Sequence, residues 1–436
     1  MSSAKDGYKL PRFTIGLLVC IYTFCYIDRQ IINILAEPIK NDLSLSDSQL
    51  GLMTGIAFAI FYSTMGIPVA RLAEKHHRGY IIAASVALWS MFTIACGFAK
   101  SFGWMLLARV GVAIGEAGCT PASNSLIIDY TPPEKRARAI SWYMLGVPLG
   151  LLIGMASGGA LADLYGWRTA FVVAGLPGFL LAILAIVSIK DPRRGRTFTA
   201  NDDAPADVAA PIALIDTLRT LARNRPFVLV AVGGATASFM ANGQVAFLAA
   251  FLLRVHGPGL ETMYDVGPIT VVGLTLGLVG GIFGGIGMLA GGWLGDRFGG
   301  RNFEGYMTVC ALAAALAIPF FVLALLAPSW GWAVAALIPA SVLGSVWGGP
   351  VFALIPSIVA PNMRATAVAV GLFGINLIGH GAGPLFTGLL SDYFATTHGP
   401  SEGLRLALVV STLVGLAAIP FYLMARSELK RATAAG

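Results

Sequence analysis

The chain alternates long apolar runs with short polar connections. Each run supplies the roughly 20 residues that a helix needs to cross the hydrocarbon core of a bilayer. The pattern predicts twelve spans, numbered in chain order: 13–36, 49–70, 79–99, 104–127, 138–160, 169–190, 226–254, 269–294, 304–327, 332–357, 365–391 and 404–426. We therefore expect an all-α, multi-pass membrane protein, inserted in the plasma (inner) membrane.

The composition excludes a soluble protein. Of the 436 residues, 56% are hydrophobic and 12% are charged, whereas soluble domains carry about a quarter charged residues. The five cysteines lie in apolar runs without zinc-binding spacing. The sequence contains no phosphate-binding loop of the G-x-x-x-x-G-K-[ST] type and no nucleophile elbow. We therefore expect neither an ATP-driven pump nor an enzyme, and no cofactor or metal.

The basic residues set the expected orientation. With both termini in the cytoplasm, 22 of the 29 lysines and arginines lie in the inner segments and five in the outer ones. Positive residues concentrate on the cytoplasmic side of membrane proteins. Their position in connections also explains the net charge of +7 without a nucleic-acid partner. The remaining two basic residues, Arg29 and Arg109, lie inside spans.

The two halves of the sequence repeat one another. The longest polar interruption predicts an N-terminal six-helix half at 1–190, a cytoplasmic linker at 191–225 and a C-terminal half at 226–436. Within the linker, apolar residues at helical spacing beside arginines favour a helix on the inner leaflet, and a plain linker is the alternative. Three landmarks recur in the same order: 72–75 with 294–297, 133–137 with 361–365, and 159–163 with 388–392. Duplicated six-helix halves are typical of one large class of secondary transporters.

The connections after spans 2 and 8 resemble the signature loop of the major facilitator superfamily, G-x-L-[AG]-D-[RK]-x-G-[RK]-[RK]. Segment 292–301 reads GWLGDRFGGR and fits closely, whereas segment 70–78 reads ARLAEKHHR and departs at its first Gly and its Asp. The resemblance implies a transporter that works by alternating access. It also implies gating roles for Glu74, Lys75, Asp296 and Arg297, and a solvated turn is the alternative.

Three shorter stretches resemble the spinster family within that superfamily. They are YIDR at 26–29, SDSQLGL at 46–52 and ARVGVAIGEA at 108–117. This resemblance implies export of lysolipids or sphingoid lipids, although bacterial members of the group need not share that substrate.

Four charged residues lie deep in spans 1 and 4: Asp28, Arg29, Arg109 and Glu116. A charge at the bilayer centre costs about 2.5–3.5 kcal/mol, so such residues normally face a cavity and pair with one another. We expect Asp28 and Glu116 to carry protons, and both arginines to contact substrate. A structural salt-bridge cluster that joins spans 1 and 4 is the alternative.

The C-terminal half offers only uncharged or weakly basic polar candidates at comparable depth. They are Asn242, Gln244, Asn376 and His380, each of which is a candidate substrate contact or a packing residue. The aromatic residues of this half are Phe239, Phe247, Phe251, Trp347, Phe352 and Phe373. An ionic half opposite an aromatic half would suit an amphiphile with a charged head and an apolar tail.

Span 5 carries small residues every four positions, which lets a neighbouring helix approach closely. Gly146, Pro148, Gly150 and Gly154 also partly resemble the antiporter motif of the superfamily. A sliding gate contact and static packing both fit this stripe.

These features predict a proton-linked secondary transporter of an amphipathic solute, such as a lysolipid or sphingoid lipid. A transporter of small organic anions or drugs is the alternative within the fold, and a non-transporting receptor or scaffold is the alternative from another class. The expected partners are the substrate, protons and membrane lipids, with the chain acting as a monomer.

Overall fold

The computed structural model describes residues 12–132, 135–191, 214–299, 303–360 and 363–434. All regular secondary structure in these ranges is helical. Twelve helical segments are long and apolar enough to cross a membrane: Phe13–Ile34, Asp47–Ala73, Arg78–Gly97, Phe102–Tyr130, Arg138–Tyr165, Trp167–Ser188, Arg225–Met263, Pro268–Gly299, Glu304–Leu325, Trp330–Ser357, Thr366–His398 and Pro400–Arg431. Each overlaps one predicted span, so the prediction of twelve spans is confirmed.

The first six spans are built from nine helices, and a tenth, α2, lies in the connection between spans 1 and 2. They are α1 (Arg12–Ile34), α2 (Ala36–Leu43), α3 (Asp47–Thr54), α4 (Ile56–Lys75), α5 (Arg78–Gly97), α6 (Phe102–Glu116), α7 (Cys119–Tyr130), α8 (Arg136–Met144), α9 (Gly146–Tyr165) and α10 (Trp167–Ser188). Local sequence fixes several boundaries. Ser46 and Gln49 form a capping box that starts α3, because the first amides of a helix have no partner within it.

The remaining spans follow a short linker helix. The elements are α11 (Leu214–Arg223), α12 (Arg225–Met263), α13 (Pro268–Gly277), α14 (Gly284–Gly299), α15 (Glu304–Leu325), α16 (Trp330–Ser345), α17 (Gly348–Ser357), α18 (Arg364–Ile375), α19 (Gly383–His398), α20 (Pro400–Val414) and α21 (Ala418–Ala434). Gly166 (φ +82°) and Gly399 (φ +78°) turn the chain at corresponding places in the two halves, after α9 and after α19. Glycine adopts this left-handed backbone without a steric penalty.

Three pairs of corresponding spans are interrupted in both halves: 4 and 10, 2 and 8, and 5 and 11. Span 4 breaks directly after Glu116, and span 10 breaks after Ser345. Spans 2 and 5 break at Gly55 and Leu145, whereas spans 8 and 11 contain π-helical turns at Leu278–Phe283 and Asn376–Ala382. Broken helices and π-turns often mark functional sites in membrane proteins. The matching breaks support the duplication inferred from sequence.

Packing divides the chain into two compact units that interleave along the sequence. Unit 1 comprises Met1–Leu45, Ala57–Thr199 and Gly257–Gly281; unit 2 comprises Ser46–Ile56, Ala200–His256 and Ile282–Gly436. Each unit therefore combines most of one six-helix half with a short piece of the other. The boundaries at 190 and 226 stay a prediction about the duplicated halves.

Each unit has its own buried core. In unit 1, Trp89 is 1% exposed, and Tyr22 and Tyr143 stack with ring centroids 4.4 Å apart. In unit 2, Tyr422 and Leu354 are fully buried. Lipid tails are as apolar as these side chains, so close van der Waals contact stabilises such cores more than removal from water does.

The linker helix α11 packs on unit 2. Leu221 is 1% exposed, and the amide of Asn224 donates to the carbonyl oxygen of Ile358 over 3.1 Å. Ile215 (63% exposed) and Leu218 (40% exposed) leave an apolar face open. An amphipathic helix is therefore present in the linker, and its position on the inner leaflet stays a prediction. Residues 192–213 of the linker lie outside the described residues.

Candidate functional site

Asp28 lies on α1 in unit 1 and is 2% exposed. Its carboxylate Oδ2 accepts a hydrogen bond from the Thr93 hydroxyl of α5 over 3.0 Å. Its backbone carbonyl accepts from Arg109 Nη1 of α6 over 3.3 Å. Oδ1 is buried and makes no hydrogen bond to any described residue. The hydrogen-bond partner of the Asp28 carboxylate is therefore a hydroxyl group and not an arginine.

Arg29 and Glu116 form the ion pair of the site. Arg29 Nε donates to Glu116 Oε2 over 2.5 Å, and the Glu116 side chain is fully buried. The break after α6 follows this residue directly. Glu116 Oε1 and Arg29 Nη2 are buried without a hydrogen-bond partner among the described residues. The pair thus keeps one acceptor and one donor for a further partner.

Aromatic side chains lie against both arginines. The Arg29 guanidinium carbon lies 4.4 Å from the ring centroid of Tyr62 and 5.2 Å from that of Phe58. The guanidinium carbon of Arg109 also lies 5.2 Å from the Phe58 centroid. A cation over an aromatic face gains about 0.5–1 kcal/mol when exposed and about 2 kcal/mol when desolvated. Phe58 and Tyr62 of α4 therefore hold the two cations in a partly apolar setting.

The sequence analysis brought the four charged residues to one place, but it did not identify their partners. Arg109 and Glu116 share one helix, yet Glu116 pairs with Arg29 of α1. Thr93, Phe58 and Tyr62 were missed. A hydroxyl or an aromatic ring in an apolar span is too common to stand out in a single sequence.

The site can carry out two kinds of chemistry. A proton could bind at the uncoordinated oxygen of either carboxylate, and an anion could bind at the two arginines. In both cases a charged side chain exchanges one partner for another in a place that water reaches poorly. The exchange matters because leaving one member of a buried ion pair without its partner costs about 3–5 kcal/mol. Across the described residues, no three His, Cys, Asp or Glu side chains meet as metal ligands.

Two of the polar candidates in the C-terminal half, Gln244 and Asn242, form hydrogen bonds within that half. Gln244 is 1% exposed, and its amide donates to Leu408 O over 3.0 Å and to Thr412 Oγ1 over 2.5 Å. Asn242 donates to the Ser238 carbonyl on its own helix over 2.8 Å. These bonds favour a packing role for both residues.

The other two C-terminal candidates lie in an unusual backbone. Asn376 and His380 both belong to the π-helical turn Asn376–Ala382. His380 is exposed at the surface of unit 2, whereas Asn376 is half-buried. The irregular turn makes them the stronger substrate candidates of this half.

Asp296 and Arg297 lie at the end of α14, in the last residues of span 8. The Tyr306 hydroxyl of α15 donates to Asp296 Oδ1 over 2.6 Å, and Arg297 lies over the Trp293 ring, 5.3 Å from its centroid. In the N-terminal copy, Lys75 is exposed, and the side chain of Glu74 lies outside the described residues. The partner of Asp296 was not predicted.

The glycine stripe of span 5 faces span 1. A Cβ atom on Gly146 or Gly150 would lie 2.9 Å or less from atoms of Tyr22, Thr23 or Tyr26, and one on Gly154 would lie 3.0 Å from the Ile27 backbone. Static packing is therefore the better interpretation of this stripe. The carbonyl of Pro148 instead faces span 8, because a Cβ on Gly281 would lie 2.9 Å from it.

Arg78 is a buried cation that the sequence analysis counted among the cytoplasmic loop charges. It is fully buried and donates from Nη2 to Asp191 Oδ1 over 2.6 Å and from Nη1 to Asp129 Oδ2 over 2.6 Å. Its partners lie at the ends of α7 and α10, far away in sequence. The residue therefore joins three spans of unit 1.

Comparison with known proteins agrees with this architecture. An MFS-type efflux pump of Mycolicibacterium smegmatis is 32% identical over 422 residues, covering 96% of this chain and 94% of that protein. Protein spinster homolog 1 of Homo sapiens is 27% identical over 415 residues, covering 92% of this chain and 78% of the human protein.

A solved structure has the same fold. It is the crystal structure of a bacterial homolog to the human lysosomal transporter spinster, in an inward-facing and unoccupied conformation. The TM-score is 0.86 at 32% identity, and the match covers 98% of this chain and 99% of that chain. These similarities confirm the expected transporter fold and exclude an enzyme. Residues 18–379 match the Major Facilitator Superfamily, so the chain belongs to that superfamily and is related to its spinster members.

Proposed function

We propose that this transporter is proton-linked, works by alternating access and moves an amphipathic solute such as a lysolipid or sphingoid lipid. One observation carries the proposal. Arg29 and Glu116 are paired over 2.5 Å in a buried place, while each keeps a buried polar atom without a described partner. A purely structural ion pair is better stabilised when these remaining atoms are also satisfied.

The proton step uses Glu116 and Asp28. When Glu116 binds a proton, its attraction for Arg29 falls and the guanidinium is released. The Asp28 carboxylate forms no ion pair with a described residue, but the charge of Arg109 acts on it electrostatically. A proton on Asp28 therefore removes one negative charge beside Arg109. Proton occupancy and substrate occupancy then share one coupling free energy, which acts in both directions.

The head group of the substrate binds at the arginines. Arginine stays charged at any working pH and holds phosphate or carboxylate through two parallel hydrogen bonds. Arg109 Nε is buried without a described partner, as is Arg29 Nη2. The two guanidinium groups share Phe58 and therefore offer neighbouring donors.

Within unit 2, aromatic side chains of the C-terminal half are the candidates for contact with an apolar tail. Phe352 (42% exposed) and Phe373 (47% exposed) remain open, and Asn376 and His380 lie on the same span as Phe373. Phe247 and Phe251 are each 1% exposed and act in packing instead.

A transporter of small organic anions or drugs is the second candidate. The efflux pump of Mycolicibacterium smegmatis, 32% identical, supports it, and the aromatic rings around Arg29 suit flat anions. A receptor or scaffold would bind ligands without moving them. We assign the protein to the plasma membrane as a monomer with both termini in the cytoplasm. We assign gating to residues 74–75 at the end of α4 and 296–297 at the end of α14.

The experiment has two stages. A thermal-shift screen of purified protein against lysolipids, sphingoid lipids, organic anions and drugs identifies the ligand class. Uptake of the best ligand into liposomes is then measured with and without an imposed pH gradient. The proposal expects accumulation above equilibrium only with the gradient. Binding without flux supports the receptor, and flux that ignores the gradient contradicts proton coupling.

A further inference from the structure

A carboxylate near the end of span 11 caps the start of span 2. Asp392 of α19 accepts hydrogen bonds from the backbone amides of Asp47 over 2.9 Å and Ser48 over 2.8 Å. These are the first two residues of α3. A negative group at this position is favoured because the first amides of a helix are unpaired and carry partial positive charge.

The same arrangement occurs in unit 1 between spans 5 and 8. Asp163 of α9 accepts from the backbone amide of Thr270 over 2.6 Å and from the Thr270 hydroxyl over 2.6 Å. Thr270 lies in the first turn of α13, which begins at Pro268. Asp163 and Asp392 occupy corresponding places in the duplicated segments GALAD and GLLSD.

A glycine four residues before each carboxylate brings the two backbones into contact. A Cβ on Gly388 would lie 2.3 Å from the carbonyl oxygen of Asp47, and one on Gly159 would lie 2.4 Å from that of Ile269. No real Cβ tolerates such a distance. The duplicated unit is therefore a bare backbone contact closed by a carboxylate cap. Asp163 with Thr270, and Asp392 with Asp47 and Ser48, are called the two latches below.

The latches differ in charge. Asp47 is itself 1% exposed and pairs with Arg254 over 2.7 Å, and Ser391 donates to it over 2.6 Å. Its counterpart in the second repeat, at the spacing that relates Leu72 to Leu294, is Ile269. Among the described residues, the latch in unit 2 therefore carries an ion pair that has no counterpart in the latch of unit 1.

We propose that the two latches are positioning elements of the transport cycle that close together and release together. In each, the carboxylate belongs to one six-helix half and the capped helix to the other. The topology predicted from sequence puts both latches at the outer ends of their spans. Alternating access moves the halves against each other, so both caps must break when the outer side opens. Water then replaces the carboxylates at the amides. The proposal rests on alternating access in the proposed function, but not on the substrate or on protons.

Hydrogen–deuterium exchange of the purified protein tests the proposal. Exchange is followed in peptides that cover the starts of α3 and α13, because the capped amides lie there. The variants are Asp163→Asn and Asp392→Asn. Loss of a charged cap worth about 1.4 kcal/mol raises the open fraction about tenfold. We expect about tenfold faster exchange at the mutated latch and also at the intact one.

Asp42→Asn is the matched control. Asp42 is an exposed carboxylate that pairs with Arg168 and caps neither helix, so both latches should keep the exchange of the parent protein. Gly159→Ala and Gly388→Ala form a second test, because the added Cβ forces the backbones apart without altering charge. They should produce the same coupled increase.

Faster exchange confined to the mutated latch would mean two independent helix caps and would overturn the proposal. Unchanged exchange at both latches would do the same. The measurement uses neither substrate nor a pH gradient. If proton-driven uptake failed, the exchange result would therefore still stand. If faster exchange were confined to the mutated latch, the proposed proton site would still stand.

Discussion

Arg29 and Glu116, 87 positions apart in the chain, form an ion pair with an Nε–Oε2 distance of 2.5 Å. The carboxylate is fully buried, and the arginine side chain is 17% exposed. Glu116 is the last residue of α6, so the pair lies at the break of span 4. Of the two members, Arg29 is therefore the one that is partly open to its surroundings.

Glu116→Gln should uncouple uptake from protons. Glutamine has similar volume but cannot exchange a proton or hold Arg29 as an ion pair. We expect pH-driven accumulation in liposomes to fall by about tenfold or more, while gradient-free counterflow persists. Asp216→Asn serves as the control, because Asp216 is 61% exposed on the linker helix. Full pH-driven accumulation by Glu116→Gln would remove this residue from the proton path.

Asp28→Asn and Thr93→Val separate the proton from the hydrogen bond at Asp28. Asparagine keeps an acceptor for the Thr93 hydroxyl, whereas valine removes the donor and leaves the carboxylate. If Asp28 carries a proton, Asp28→Asn should abolish pH-driven uptake and Thr93→Val should only shift its pH dependence. Equal loss in both variants, measured beside counterflow, would indicate a structural role instead.

Arg109→Lys should weaken binding of ligands with an anionic head by about tenfold. Lysine keeps the charge but loses the planar fork that binds phosphate or carboxylate through two hydrogen bonds. Binding is measured by calorimetry or thermal shift with the best ligand of the screen. Arg71→Lys on an exposed position is the control. If Arg109→Lys bound the ligand with the affinity of the parent protein, the role of Arg109 would be structural, through its hydrogen bond to the Asp28 carbonyl.

Arg78→Gln should destabilise unit 1 without a direct effect on the site. The substitution removes the ion pair between Arg78 and Asp191, which is 4% exposed, and breaking a buried ion pair costs about 3–5 kcal/mol. The melting temperature should fall clearly below that of Arg71→Gln, whose parent side chain is exposed. Equal melting temperatures for the two variants would show that the Arg78 cluster contributes little to stability.

Asp296→Asn should favour the state that is open to the cytoplasm. Asp296 accepts from the Tyr306 hydroxyl over 2.6 Å, and Tyr306→Phe removes the same bond without altering charge. Spectroscopic distances between labels on the cytoplasmic ends of spans 5 and 8 report the state. If both variants shift the distribution, the bond itself is the gate element. A shift in Asp296→Asn alone would assign the effect to charge, and no shift in either would contradict the gating role.

The number of spans and the deep charges could be predicted from sequence because both depend on local composition. A run of about 20 apolar residues has one stable arrangement in a bilayer, where each backbone group must be satisfied within the helix. Any charge inside such a run stands out against its neighbours. Asp28, Arg29, Arg109 and Glu116 were found in this way. The duplicated segments that end in Asp163 and Asp392 were found by comparing the two halves of the sequence.

The partners of these groups were decided by the tertiary structure alone. Asp28 accepts a hydrogen bond from Thr93, and Glu116 pairs with Arg29. Arg78 forms ion pairs with Asp129 and Asp191 and so connects three spans. Helical periodicity orders residues around one axis, but it does not set the rotation of one helix against the next. That rotation follows from close packing of many side chains at once, so a single sequence names the charged groups and only the folded chain assigns their partners.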